Sequence, residues 1–170
     1  MKLQVSPNNW TCMATATAMA LDKPLYEVIE GLGHSGSESV WPPEWNHLPA
    51  GYHIHEIIDY VWMQHAKPVT PFVRRPMVTP AYDCPDQVAK FAREPDLEKR
   101  FKHRIAGRVG IMTGVISKGR GHAVAWDGRN IYDPRGYVYS LDTARQFYNY
   151  YVDTFWMFGG LDVSAFTVVS

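Results

Sequence analysis

Apolar positions recur with a helical rhythm in the first half of this 170-residue chain and with a two-residue rhythm in the second. Residues 8–21 run Asn-Asn-Trp-Thr-Cys-Met-Ala-Thr-Ala-Thr-Ala-Met-Ala-Leu, nearly all small or apolar beyond the two asparagines. That pattern predicts a helix buried on most sides, with Asn8 or Asn9 as its N-cap. Asp22-Lys23-Pro24 closes it and opens a second helix, in which Leu25, Val28, Ile29 and Leu32 recur at helical spacing until Gly33. Residues 33–52 have no period and predict a long loop. A third helix over about 53–64 places Ile54, Ile57, Ile58, Val61 and Trp62 on one face. Residues 69–78 read as extended, with Pro71 and Pro76 confining them to a sheet edge or a loop. Short helices are expected at 86–91 and 96–105.

Beyond residue 108 the runs 109–116, 122–126, 129–132, 137–141, 154–158 and 165–169 predict strands, with one helix at 142–150. Helices first and strands later, in a chain sized for one core, imply a single α+β domain spanning 1–170, its buried helix packed on an antiparallel sheet. The hairpin at 121–134 carries the most information. Asp127-Gly128 between apolar runs predicts a two-residue turn. Counting outward, Trp126 faces Arg129, Val124 faces Ile131 and His122 faces Asp133, with directly opposed Cβ atoms roughly 4.5–5.5 Å apart. Val124 and Ile131 then share the face of His122 and Asp133, and are expected to pack on the Ala-rich helix.

An imidazole oriented by a carboxylate is two thirds of a nucleophilic triad. The third member is expected to be Cys12, in the first turn of the buried helix, where unpaired amides and the positive end of the helix dipole favour a thiolate. Docking that helix on the hairpin brings Cys12 beside His122. Because an amide can also orient an imidazole, Asp133→Asn is expected to keep partial activity and Asp133→Leu to lose far more.

Charge and composition narrow the alternatives. Apolar residues make up 46% of the chain, which predicts a packed globular domain. Lys plus Arg and Asp plus Glu are both 17, so the electrostatic footprint of a nucleic-acid binder is missing. The local cluster Arg74, Arg75, Arg100, Lys102 and Arg104 reads as a solvated face. No stretch has the length and apolarity of a membrane span and the first residues lack a secretory signal, so a cytoplasmic protein with free thiols at Cys12 and Cys84 is expected. His53 and His55 are two apart, which places them on different sides of a helix, so with Glu56, His34 and His47 they make a poor metal set. No metal and no organic cofactor is expected. Gly119-Arg120-Gly121 is too short for a phosphate loop and suits close passage of a substrate backbone, Trp10 is expected to shape the site, and Trp41, Trp45 and Tyr52 on the long loop are read either as groove residues or as a small satellite apolar cluster.

In these residues the chain resembles the papain-like cysteine peptidases, in which Cys opens a central helix and His and Asp or Asn lie on neighbouring strands. Gly-His-Ala-Val-Ala-Trp at 121–126, followed by Ile-Tyr-Asp-Pro-Arg-Gly at 131–136, is most similar to the bacteriocin-processing, double-glycine branch. The resemblance covers 4–21 and 107–139 and implies Cys12 as nucleophile, His122 as general base and acid, and Asp133 as the orienting carboxylate. It also implies an oxyanion-hole glutamine. Gln4 is the only one upstream, eight residues before Cys12 where the family has about six, so Asn8 and Asn9 stand as alternatives, and Met13 occupies a position where the branch has Gly. The implied activity is hydrolysis of a peptide or isopeptide bond, with a protein or peptide as substrate and with no nucleic-acid or membrane partner. The same triad serves acyltransferases, transglutaminase-like enzymes and deamidases, and the same fold without activity serves as a binding or inhibitory module. With Cys12 so near Met1, no inhibitory pro-segment is expected ahead of it.

Overall fold

A computed structural model describes residues 1–37, 51–74, 97–116, 121–148 and 150–160. The expected elements at 86–91 and 165–169, most of the loop at 33–52, and the residues Trp41, Trp45, Cys84, Gly119 and Arg120 lie outside them.

Five helices and six strands are described: α1 (Cys12–Leu21), α2 (Leu25–Leu32), α3 (Ile54–His65), β1 (Val69–Val73), α4 (Leu97–Ile105), β2 (Gly110–Val115), β3 (Gly121–Trp126), β4 (Ile131–Asp133), β5 (Tyr137–Tyr139), α5 (Leu141–Tyr148) and β6 (Tyr151–Phe158). The strands form one antiparallel sheet in the order β1-β6-β2-β3-β4-β5. The architecture is therefore α+β. Pro71 does lie on an edge strand, where its missing N–H costs no ladder bond. Among the described residues no helix is long and apolar enough to cross a membrane.

Helix α1 starts at Cys12, later than the composition suggested, because Asn8 folds the chain before it. The Asn8 side-chain oxygen accepts the N–H groups of Trp10 at 3.1 Å and Thr11 at 3.0 Å, and Thr11 becomes the N-cap. Inside the helix Ala14 through Met19 are all buried. The buried hydroxyls of Thr15 and Thr17 are satisfied by donating to the Thr11 and Met13 carbonyls of their own helix. Asp22 in the left-handed region ends α1, and the Lys23 N–H closes onto the Ala18 carbonyl at 2.9 Å.

Two apolar clusters sandwich the sheet. One joins α1 to Ile111, Ala123 and Ala125 with residues of α2 and α3; the other joins Phe101 and Ile105 of α4 and Leu141 and Ala144 of α5 to Met112, Val124, Trp126, Ile131 and Phe155. The expected packing of Val124 and Ile131 on α1 is thus corrected. Alternation along β3 is as expected, but both of its faces are buried, and alternation alone cannot say which layer covers which face. The face α1 lies on is the alanine face, where small side chains on both surfaces permit close approach.

The β3–β4 register is corrected as well. Trp126 pairs with Ile131 and Ala125 with Tyr132, so the connection is the four residues 127–130. Asp127 organises it: its carboxylate accepts the N–H groups of Arg129 at 2.8 Å and Asn130 at 2.7 Å, an Asx turn that competes with the two-residue solution. Relative to the expected pairing the strands slip by two residues, which preserves every face. Continuing that register, His122 and Asp133 become diagonal neighbours, still within reach of long side chains.

Between β2 and β6 the ladder shifts at Thr113/Gly114, where β6 holds one extra residue, Asp153. A Cβ at Gly114 would stand 2.0 Å from the Tyr151 carbonyl oxygen, so only glycine allows the strands to approach there.

Candidate active site

Cys12 is the first residue of α1 and His122 the second of β3, and a cavity of about 810 Å³ opens over both. Its wall includes Asn8, Asn9, Trp10, Met13, Tyr52, Thr113, Gly121 and Arg135. Cys12 is a half-buried free thiol, whereas His122 is 8% and Asp133 0% exposed. The His122 Nε2–H donates to Asp133 Oδ1 at 2.9 Å, and Cys12 lies on the same cavity wall, near enough to the ring to favour its protonated form. With Nε2 committed to the carboxylate, Nδ1 is the nitrogen left for the sulfur. The three residues singled out from the sequence are therefore gathered at one end of the cavity.

Burial favours the neutral imidazole, but the hydrogen bonds and negative charges of Asp133 and Cys12 outweigh it and push the His122 pKa up to about 9. The ring is an imidazolium at neutral pH. For Asp133, burial opposes ionisation, yet hydrogen bonds from His122 and Arg135, the His122 charge and the Tyr139 hydroxyl hold the carboxyl well below the usual carboxylate range.

The carboxylate is saturated with donors. Oδ1 accepts His122 Nε2–H, the Arg135 backbone N–H at 2.9 Å and Arg135 Nε–H at 3.0 Å; Oδ2 accepts Arg135 Nε–H at 3.0 Å, Arg135 Nη2–H at 2.6 Å and the Tyr139 hydroxyl at 2.6 Å. Tyr139 is kept protonated, mainly by burial and then by the Asp133 charge beside it. Behind the imidazole stands Tyr150, wholly buried, its ring edge-on to His122 at 5.5 Å and its hydroxyl 2.9 Å from the Met112 carbonyl oxygen. Sequence reading missed Arg135, Tyr139 and Tyr150. Arg135 carried a usable signal, since an Asp side chain readily accepts the backbone N–H two residues on, which holds Arg135 beside Asp133. Tyr150 carried none, because it reaches the site from between α5 and β6.

Gln4 does not reach the cavity, which corrects its placement in an oxyanion hole. Its Nε2–H donates to the Lys23 carbonyl at 2.7 Å and its Oε1 accepts the Leu25 N–H at 3.0 Å, so the amide bridges the α1–α2 turn. Its extra distance from Cys12 places it along the side of α1, with its own N–H on the Met19 sulfur. Asn8 and Asn9, the alternatives, do line the cavity. Because the Asn8 oxygen is committed to Trp10 and Thr11, its NH₂ is the end available to a ligand. Trp10 and Gly121 line the cavity too, and a Cβ built on Gly121 meets nothing within 4 Å.

The histidines near α3 are also placed differently from expectation. The His53 and His55 rings stack at 5.6 Å, because His53 is the N-cap and lies outside the helical turn that would separate them. Glu56 is committed to His34 Nε2 at 2.7 Å and the His53 N–H at 2.6 Å. Among the described residues no group of three or more His, Cys, Asp or Glu is arranged to hold a metal ion.

No protein-family model matches the chain, and no curated protein matches it.

Proposed function

We propose that the chain is a thiol-dependent hydrolase with a papain-like fold, cleaving a peptide or isopeptide bond through an acyl-enzyme on Cys12. The observation that carries this reading is the hydrogen bond from His122 to the buried Asp133 carboxylate, with Cys12 beside that ring on the wall of one open cavity.

The Cys12 sulfur forms a bond to the substrate carbonyl carbon, and the carbonyl electrons move onto oxygen. That oxyanion is held by the backbone N–H of Cys12, which the helix leaves unpaired, with the Asn8 or Asn9 amide as second donor. As the tetrahedral species collapses, the C–N bond breaks and His122 gives its Nδ1 proton to the leaving nitrogen, so an amine departs and a thioester remains. His122, now neutral, takes a proton from water as the water oxygen attacks the thioester. The C–S bond breaks, and a carboxylic acid and the thiolate–imidazolium pair are produced. Asp133 keeps the ring oriented throughout.

A thiol probe tests this. Iodoacetamide is expected to label Cys12 much faster than Cys84 near neutral pH, and the difference is expected to vanish in His122→Ala. Equal rates at the two cysteines in the unaltered protein would refute the proposal.

A further inference from the structure

Building on that thiol-hydrolase reading, we infer that Arg135 is a positioning residue that makes the third place of the triad specific for a carboxylate and closed to an amide. Both oxygens of Asp133 accept from Arg135, Oδ1 from its backbone N–H and Nε–H and Oδ2 from its Nε–H and Nη2–H. An asparagine at 133 must point its NH₂ at one of these two places. At the Oδ2 place the NH₂ meets the guanidinium, which has no acceptor and is permanently charged; the Tyr139 hydroxyl can turn and accept, but the arginine cannot. At the Oδ1 place the NH₂ meets the Arg135 backbone N–H and the Nε2 edge of His122, and the ring can accept there only by carrying its proton on Nδ1, facing the sulfur. Either arrangement leaves donors opposed at a position that is 0% exposed, where no water relieves them. Under this inference the expectation from sequence that Asp133→Asn keeps partial activity gives way to the opposite one.

The same geometry gives Arg135 a task distinct from packing. Its side chain is one-third exposed and reaches the cavity wall, while its fork grips the buried carboxylate. The planar, two-pronged contact fixes the rotation of the carboxyl group about its last bond, which a point charge does not do. The rotation of that group sets the direction from which Oδ1 meets the imidazole. The charged and titratable groups around the pair are Cys12 on α1, Arg135 and Tyr139 flanking Asp133, and Tyr150 behind the ring.

Removing the guanidinium makes room for the amide. With glutamine at 135, an asparagine at 133 can accept from His122 and the residue-135 N–H while its NH₂ donates to a turned Tyr139 hydroxyl. The experiment is a double-mutant cycle of Asp133→Asn and Arg135→Gln. Its readouts are the rate of Cys12 alkylation by iodoacetamide across pH and the melting temperature of each protein. Asp133→Asn is expected to slow alkylation near neutral pH at least about tenfold more when Arg135 is present than in the Arg135→Gln background, a coupling beyond what independent sites show. The melting temperatures are expected to follow the same pattern. Arg135→Lys, which keeps the charge without the fork, is expected to slow alkylation while leaving Asp133→Asn as harmful as before. Should Asp133→Asn not fold alone, recovery of folding by Arg135→Gln supports the inference, and failure to recover overturns it. Equal costs of Asp133→Asn in both backgrounds overturn it as well, with the enzyme reading intact. If instead Cys12 of the unaltered protein reacts no faster than Cys84, the enzyme reading fails and the melting cycle alone decides the role of Arg135.

Discussion

At His122 three opposing effects meet, and their balance has a measurable sign. Burial alone would keep the ring neutral, but Asp133 and Cys12 push its pKa from 6.5 up to about 9. A group that binds its proton more tightly when folded stabilises the fold while that proton is present in both states. This contribution is complete below about pH 6.5 and is lost as pH rises through about 9. Thermal melts of the protein and of His122→Gln are therefore expected to differ most in mildly acid solution and to converge as the solution becomes alkaline. A difference that stays flat over that span would contradict the assignment. Asp133 contributes in the opposite direction on the pH scale: its stabilisation is present above the usual carboxylate range and fades only in strong acid. At this scale the sequence was informative where two side chains could be matched by counting out from one turn, although Arg135 and Tyr139, close by in the chain, were not matched to Asp133 that way. Asp133 was legible beside His122 for that reason, whereas Tyr150, which enters from a distant connection, was not.

At the scale of elements, α1 illustrates how composition encodes packing. Its alanines meet Ala123 and Ala125 on the sheet, so the helix axis settles close to the strands and Cys12 is carried to the level of β3. An Ala125→Leu side chain has no space to occupy there and must push α1 outward. The expected cost is about 1–3 kcal/mol, read as a lower urea midpoint with an unchanged slope. An unchanged midpoint would show that the interface is looser than described. Element identity was legible because each segment keeps its period for long enough: α1, α2, α4 and β2 fall within the spans expected from pattern, α3, β3 and β4 overrun theirs by one residue, and β6 starts three residues early. What failed was the finer placement. Asp-Gly is the usual mark of a two-residue turn, but the Asp127 carboxylate captured two following N–H groups and set a four-residue connection. Which face of β3 received α1 was likewise hidden, since apolar residues occupy both.

At the scale of the whole molecule Gln4 and Ser6 act as a fastening rather than as part of the proposed chemistry. Gln4 bridges the α1–α2 turn, the Ser6 N–H donates to the Pro134 carbonyl at 2.8 Å beside Asp133, and the Ser6 hydroxyl meets the Thr11 hydroxyl at 2.6 Å. The start of the chain thus ties the helix layer to the hairpin. Gln4→Ala is expected to lower stability by about 1–2 kcal/mol, since two part-buried partners lose their bonds, while Cys12 labelling in the folded protein stays at its original rate. Slower labelling at full stability would return Gln4 to the chemistry. The α+β arrangement and the meeting of Cys12, His122 and Asp133 were readable from order and spacing. The tie through Gln4 was not, because a hydrogen-bonding amide has the same sequence signature whether it faces a substrate or a turn.

His122 and Asp133 sit on one hairpin, eleven positions apart, whereas Cys12 arrives from the far end of the chain. Closing the short loop costs little entropy, so the imidazole and carboxylate can find each other early and locally, while the sulfur joins them only after the helix has docked across the sheet. Under the proposed function, the alkylation rate of that one atom is an internal gauge of tertiary assembly. In a chain that has collapsed without docking, the sulfur would behave as an ordinary thiol even with the hairpin already formed.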